Sequence, residues 1–150
     1  MKNLFAALAF LLLAGISALA QPTYTVSNTS TSCTYEVCVT FNCGTNRACV
    51  GSTVSKQVCH TIAPGTSMIF TLTPPAGYTN VCENSLSWSA KPQGTAYHFT
   101  NLDQTTVDYR QGACGGCQCP TTCYFTIWTP TGTNSFTIRE DILSSTGCSD

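Results

Sequence analysis

The sequence predicts an all-β protein: an antiparallel two-sheet sandwich, immunoglobulin-like in architecture and stapled by several disulfides. Three observations lead there. Apolar residues recur at every second position in many short segments, turns bearing proline or glycine separate those segments, and all eleven cysteines lie after residue 32. Strict alternation is the mark of a strand with one buried face.

The elements follow in chain order. Residues 1–20 carry the pattern of a secretory signal peptide: Lys2, an apolar run over 4–13, and the small-x-small exit Ala18-Leu19-Ala20 ahead of Gln21. That run is shorter than the ~20 apolar residues a membrane span requires. A single mature domain over 21–150 is expected, secreted to the periplasm or beyond the cell, without membrane insertion after cleavage. A first strand precedes the polar turn over 28–32. Tyr35, Val37, Val39 and Phe41 alternate with polar partners, as do Val54, Val58 and Ile62, then Met68, Phe70 and Leu72. Leu86 with Trp88, Tyr97 with Phe99, Val107 with Tyr109, Phe125 with Ile127, and Phe136 with Ile138 repeat the theme. Pro64-Gly65, Pro74 to Gly77, Pro92 to Gly94 and Pro130 to Gly132 read as the turns that end strands. Seven to nine strands result. The one helical candidate, over 139–144, amounts to a single turn.

Composition bounds the partners. Without Lys2 the mature chain has five basic residues against seven acidic ones, a net of −2 (5 − 7). Such a balance gives no cationic footprint for nucleic acid. Ser, Thr, Asn and Gln supply the polarity, which suits glycans, a protein partner or self-association.

Sulfur is the strongest chemical signal. The cysteines are Cys33, Cys38, Cys43, Cys49, Cys59, Cys82, Cys114, Cys117, Cys119, Cys123 and Cys148. Cys114-x2-Cys117 has the form of one zinc knuckle, but Cys119 and Cys123 follow at once and no second knuckle stands at a distance. A redox Cys-x-x-Cys would need a βαβ setting. In an exported chain, disulfides are the expected state, with no metal and no cofactor. Cys38 and Cys59 both sit on the polar side of their strands and are expected to pair if those strands are neighbours. Cys43 and Cys49 flank a short loop and are expected to close it. Eleven is odd, so one thiol is left over; Cys148 is the first candidate by position and Cys82 the second, with a buried inert thiol the alternative.

Catalysis finds little support. His60 lies on the apolar side of its strand and reads as a packed or edge histidine; His98 is expected to face outward. No two of Glu36, Glu83, Asp103, Asp108, Glu140 and Asp141 are singled out as an acid/base pair, and no nucleophile motif is present. Asp103 and Asp108 flank a turn that reads as a solvated loop in preference to a calcium site. Asn28-Thr29-Ser30 is a glycosylation sequon. The Thr-x-Thr pairs at 23/25, 71/73 and 129/131 lack the fixed repeat of an ice-binding array.

The expected function is therefore a secreted, non-catalytic structural or protein-interaction module of the cell surface or extracellular matrix, an adhesion component. The alternative is a carbohydrate-binding module. If Phe125 and Ile127 point inward, Tyr124 and Trp128 face out as a ligand-binding platform for sugar rings, with Tyr78 and Tyr109 as further aromatics.

Overall fold

A computed structural model describes residues 21–95, 97–112 and 124–142. The described chain is all β, with nine strands and no helix. They are β1 (Thr23–Asn28), β2 (Tyr35–Gly44), β3 (Thr53–Ile62), β4 (Ser67–Thr71) and β5 (Asn80–Pro92), followed by β6 (Phe99–Leu102), β7 (Asp108–Gly112), β8 (Tyr124–Gly132) and β9 (Ser135–Ile142). The expected signal peptide, Cys114, Cys117, Cys119, Cys123, Cys148 and the Tyr124 side chain lie outside the described residues.

The strands form two sheets. One has five strands in the order β4-β1-β9-β8-β7 and the other four in the order β3-β2-β5-β6. The expectation of wholly antiparallel sheets needs correction, because β1 runs parallel to β9. Two further corrections concern the C-terminal hairpin. Residues 139–142 continue β9 and form no helical turn, and β8 runs on through Pro130 to Gly132, so that Thr133 and Asn134 make the turn. A register shift between Pro130 and Gly132 accommodates the proline, which cannot donate to a ladder. At Pro64-Gly65 the expected turn is present, and Gly65 has a φ of 69°, a conformation that glycine adopts without steric cost.

Alternation decides what lies between the sheets. Tyr35, Val37, Val39, Phe41 and Cys43 of β2 point the same way and are buried. They belong to one hydrophobic cluster with Tyr24 and Val26, Phe70, Trp88 and Ala90, Trp128, Phe136 and Ile138, drawn from both sheets. Trp88 is the hub. Its ring centroid lies 5.2 Å from Phe70, 5.2 Å from Phe136, 5.6 Å from Trp128 and 5.7 Å from Tyr24. These are the separations at which offset and edge-on aromatic pairs attract beyond their buried area.

A polar knot closes one end of this core. Asn28, fully buried at the end of β1, donates through Nδ2 to the carbonyls of Cys33 (2.7 Å) and Ile62 (2.9 Å), and its Oδ1 accepts the Ser30 N–H (3.0 Å). One side chain thereby joins the end of β1, the following loop and the end of β3. Both amide hydrogens are committed, so the sequon asparagine has no free nitrogen valence for a glycan in the folded state. Asn28→Asp should destabilise the fold by about 3 kcal/mol, since a carboxylate would face two carbonyls that lose their donors. Exposed Thr29→Ala should stay within ~0.5 kcal/mol. Urea melts of both variants check the contrast.

Candidate functional site

The side chains that alternate with this core define the opposite face of the five-stranded sheet. Register places Thr23 beside Thr71, Thr25 between Ile69 and Ser135, and Ser27 between Ser67 and Thr137; Thr137 in turn stands beside Thr129. All of them are exposed or half-exposed. The Ser27 and Ser67 hydroxyls are 2.7 Å apart, and the Thr137 hydroxyl donates to the Thr129 carbonyl at 3.5 Å. β1, β4 and β8 contribute no charged residue to this face, and Arg139 of β9 is the first charge reached along it. With strands about 4.8 Å apart and alternate residues about 6.7 Å apart, the hydroxyls form a two-dimensional grid. Each hydroxyl offers one donor and two acceptor positions, and each threonine adds a methyl group. The part of this surface that precedes Arg139 can bond to neutral polar groups and holds no charge to be screened by salt.

The aromatic platform expected on β8 is corrected by the packing. Trp128 is 0 % exposed, stacks 4.8 Å from Phe136 in the inter-sheet core, and donates its indole N–H to the Asp103 carbonyl at 2.8 Å. Ile127, expected inward, lies on the opposite side of the strand and is also buried. Both parities of β8 carry large apolar side chains, so alternation alone could not choose; the ring partners across the core do. Tyr109 pairs with Ile127 and is 64 % exposed, which makes it the aromatic exposed on the hydroxyl face among the described residues. Tyr78 packs half-buried against the core.

Two disulfides are formed among the described residues. Cys38–Cys59 joins directly opposed residues of β2 and β3 on the outer side of the four-stranded sheet, as their parity implies. The expected Cys43–Cys49 pair is replaced by Cys49–Cys82. Cys43 points into the core, whereas Asn42, its neighbour on the other face, stands opposite Cys82. The loop after β2 presents Cys49 to that outer side. Asn46 holds it open by donating to the Val50 carbonyl (2.7 Å) and accepting the Val50 N–H (3.2 Å). Gly44 makes room, because a Cβ there would stand 3.1 Å from both Cα and Sγ of Cys49. Cys82 is thus bonded and is not the leftover thiol. Cys43 makes no disulfide among the described residues; burial pushes its thiol pKa up, against a smaller opposing pull from Lys56. A buried thiol of raised pKa is a poor nucleophile, which fits the buried-thiol alternative, while Cys148, the first candidate for the leftover thiol, lies outside the described residues.

Beside Cys49–Cys82 opens a cavity of about 370 Å³, with Gln21, Arg47, Asn80, Glu83 and Asn84 in its walls. The remaining candidates are dispersed. His60 packs edge-on against Phe70 at 4.8 Å, as an edge histidine would, and His98 is exposed. Asp103 Oδ1 accepts the Thr105 and Thr106 N–H groups and the Thr105 hydroxyl, which holds its carboxyl well below the usual range, while Asp108 is ion-paired with Arg110 at 2.7 Å. These bonds account for the turn between them. Glu140 is a structural clamp that residue type alone did not reveal: its Oε1 accepts the N–H and hydroxyl groups of Thr31 and Ser32, tying β9 to the loop after β1.

No known protein family matches the chain, and neither a curated protein nor a solved structure is detectably similar to it.

Two expectations follow. Peptide mapping under non-reducing conditions should recover Cys38 with Cys59 and Cys49 with Cys82. For Glu140, burial pushes the pKa up, but hydrogen bonds from Ser30 and Ser32 outweigh it and leave the group below its ordinary value of 4.5. Its contribution is therefore present above that value and is lost as pH falls through the lowered pKa. Glu140→Gln should narrow the gap in urea midpoint between pH 7 and pH 3 relative to the parent protein.

Proposed function

We propose that this chain is a secreted, non-catalytic interaction module of the cell surface or extracellular matrix, which docks through the hydroxyl face of its five-stranded sheet. The observation that carries the reading is the composition of that face: Thr23, Thr25, Ser27, Ser67, Thr71, Thr129, Ser135 and Thr137 stand together without a charge among them. In this reading the two sheets make an immunoglobulin-like sandwich over 21–150, freed by signal cleavage after Ala20. Two disulfides fit the oxidising setting in which they persist. Histidines and carboxylates do not converge on one site among the described residues, which supports a binding role over catalysis.

A carbohydrate-binding module is the second reading, and the exposure of Tyr109 on the same face favours it. Among the described residues one tyrosine at the sheet margin is a small stacking surface, so the hydroxyl grid would carry most of the recognition.

Retention of the purified mature protein on envelope and matrix material from the exporting cell tests both. Retention is expected to persist at 1 M salt, because no charge is involved, and to fall at least ~10-fold in Thr25→Glu/Thr137→Glu. If Tyr109→Ala instead abolishes binding to insoluble neutral polysaccharide, the second reading holds. A wild-type protein retained by neither material contradicts both.

A further inference from the structure

Sheet edges offer unpaired backbone groups, and natural proteins guard them with inward charges, short or irregular strands, or proline. Four strands are edges among the described residues: β3 and β6 of one sheet, β4 and β7 of the other. Three are guarded. β3 turns Lys56 to its core side, half-buried. β6 has four residues, an irregular register against β5, and Asn101 at a φ of 54°. β7 carries the Asp108–Arg110 ion pair. β4 differs from β3 and β7 in charge and from β6 in regularity, since its register against β1 runs without a break over all five residues. Its sequence, Ser67-Met68-Ile69-Phe70-Thr71, contains no charge, no proline and no glycine.

The hydrogen-bond phase of β4 is fixed by its flanks. Leu72 N–H donates to Pro22 O and Asn28 N–H donates to Thr66 O, so the even-numbered residues face β1. Main-chain groups alternate along an antiparallel strand, and Ser67, Ile69 and Thr71 therefore direct their N–H and C=O groups away from β1. No strand pairs with them among the described residues. On this same strand Ile69 is 61 % exposed and Met68 37 % exposed, large apolar side chains left in water.

We propose that β4 pairs antiparallel with β4 of a second copy, Ile69 facing Ile69 across a two-fold axis. This deepens the interaction reading above by naming a second copy as one partner and its edge as the place. The register is self-complementary. With Ile69 on the axis, Ser67 stands opposite Thr71 of the second copy, and Met68 opposite its Phe70. Every outward-directed residue then meets another, and each of the pairs 67/71, 69/69 and 71/67 exchanges two N–H···O=C bonds. Sliding the strands by two residues loses one of those pairs and leaves an end unmatched. A two-fold interface must be complementary to itself, which a strand bearing net charge is not and this neutral one is. The result is a continuous sheet spanning both copies, with the hydroxyl faces side by side on one surface.

The test is light scattering with size exclusion on the full mature chain, alongside amide hydrogen exchange. The wild type should elute as a dimer that dissociates on dilution, with slow exchange at Ser67, Ile69 and Thr71. Ile69→Lys would place two ammonium groups on the axis and should weaken association at least ~100-fold, with unchanged circular dichroism because the site is exposed. Thr71→Lys is the second variant and should weaken it in the same direction. A wild type that stays monomeric, or a dimer that is insensitive to both variants and dissolves on adding reductant, overturns the proposal. Retention on matrix material is read separately in Thr25→Glu/Thr137→Glu, which leaves β4 intact, so that loss of the dimer in Ile69→Lys supports the edge pairing and leaves the hydroxyl-face reading to its own experiment.

Discussion

Contact between aromatic rings across the two sheets is the constraint on which the remaining structure depends. Trp88 from one sheet meets Phe70, Trp128, Phe136 and Tyr24 from the other. Once these large side chains are committed to the space between sheets, the pleat sends their sequence neighbours to the outside. In β1 and in β9 as far as Thr137 those neighbours are threonine and serine. The hydroxyl face is therefore a consequence of core packing as much as of surface composition. A one-residue slip of β8 or β9 would bury hydroxyls and expose rings.

Covalent staples and side-chain clamps are unevenly divided. Both disulfides among the described residues lie on the four-stranded sheet, where Cys38–Cys59 ties the edge strand β3 to β2 and Cys49–Cys82 ties a loop to β5. Each closes a sequence separation of 21 or 33 residues, for which restriction of the unfolded chain contributes about 3 kcal/mol. The described part of the five-stranded sheet is held instead by the core, by Asn28 and by the Glu140 clamp. It is also the sheet whose margin at β4 and whose outer face present unguarded hydrogen-bonding groups. Among the described residues the covalent staples sit on one sheet and the candidate contact surfaces on the other.

Much of this was legible in the residues. β2 could be read from Tyr35 to Phe41 because only one of its parities is apolar, and the same parity put Cys38 and Cys59 on one side. Other features depended on chain segments far apart in sequence. Trp128 sits in a strand that is apolar on both sides, so its direction is set by Trp88 and Phe136, which no local pattern names. Cys49 chooses Cys82 over the nearer Cys43 because Gly44 lets the loop fold to the outer side. The parallel pairing of β1 with β9 joins opposite ends of the described chain, a relation that alternation cannot express. The hydroxyl face was invisible for the same reason: its residues come from four strands, and only sheet order brings them together.

Both tryptophans lie wholly inside, and this is what turns the hydroxyls outward. Quenching of tryptophan fluorescence by iodide measures it directly. The native protein should show blue-shifted emission with neither ring accessible to the ion, and both should become accessible together on unfolding. A native protein in which half of the emission is quenched, the quenched half disappearing in Trp128→Phe, would put Trp128 on the surface. That would reverse the faces of β8 and remove the basis for the contact surface described above.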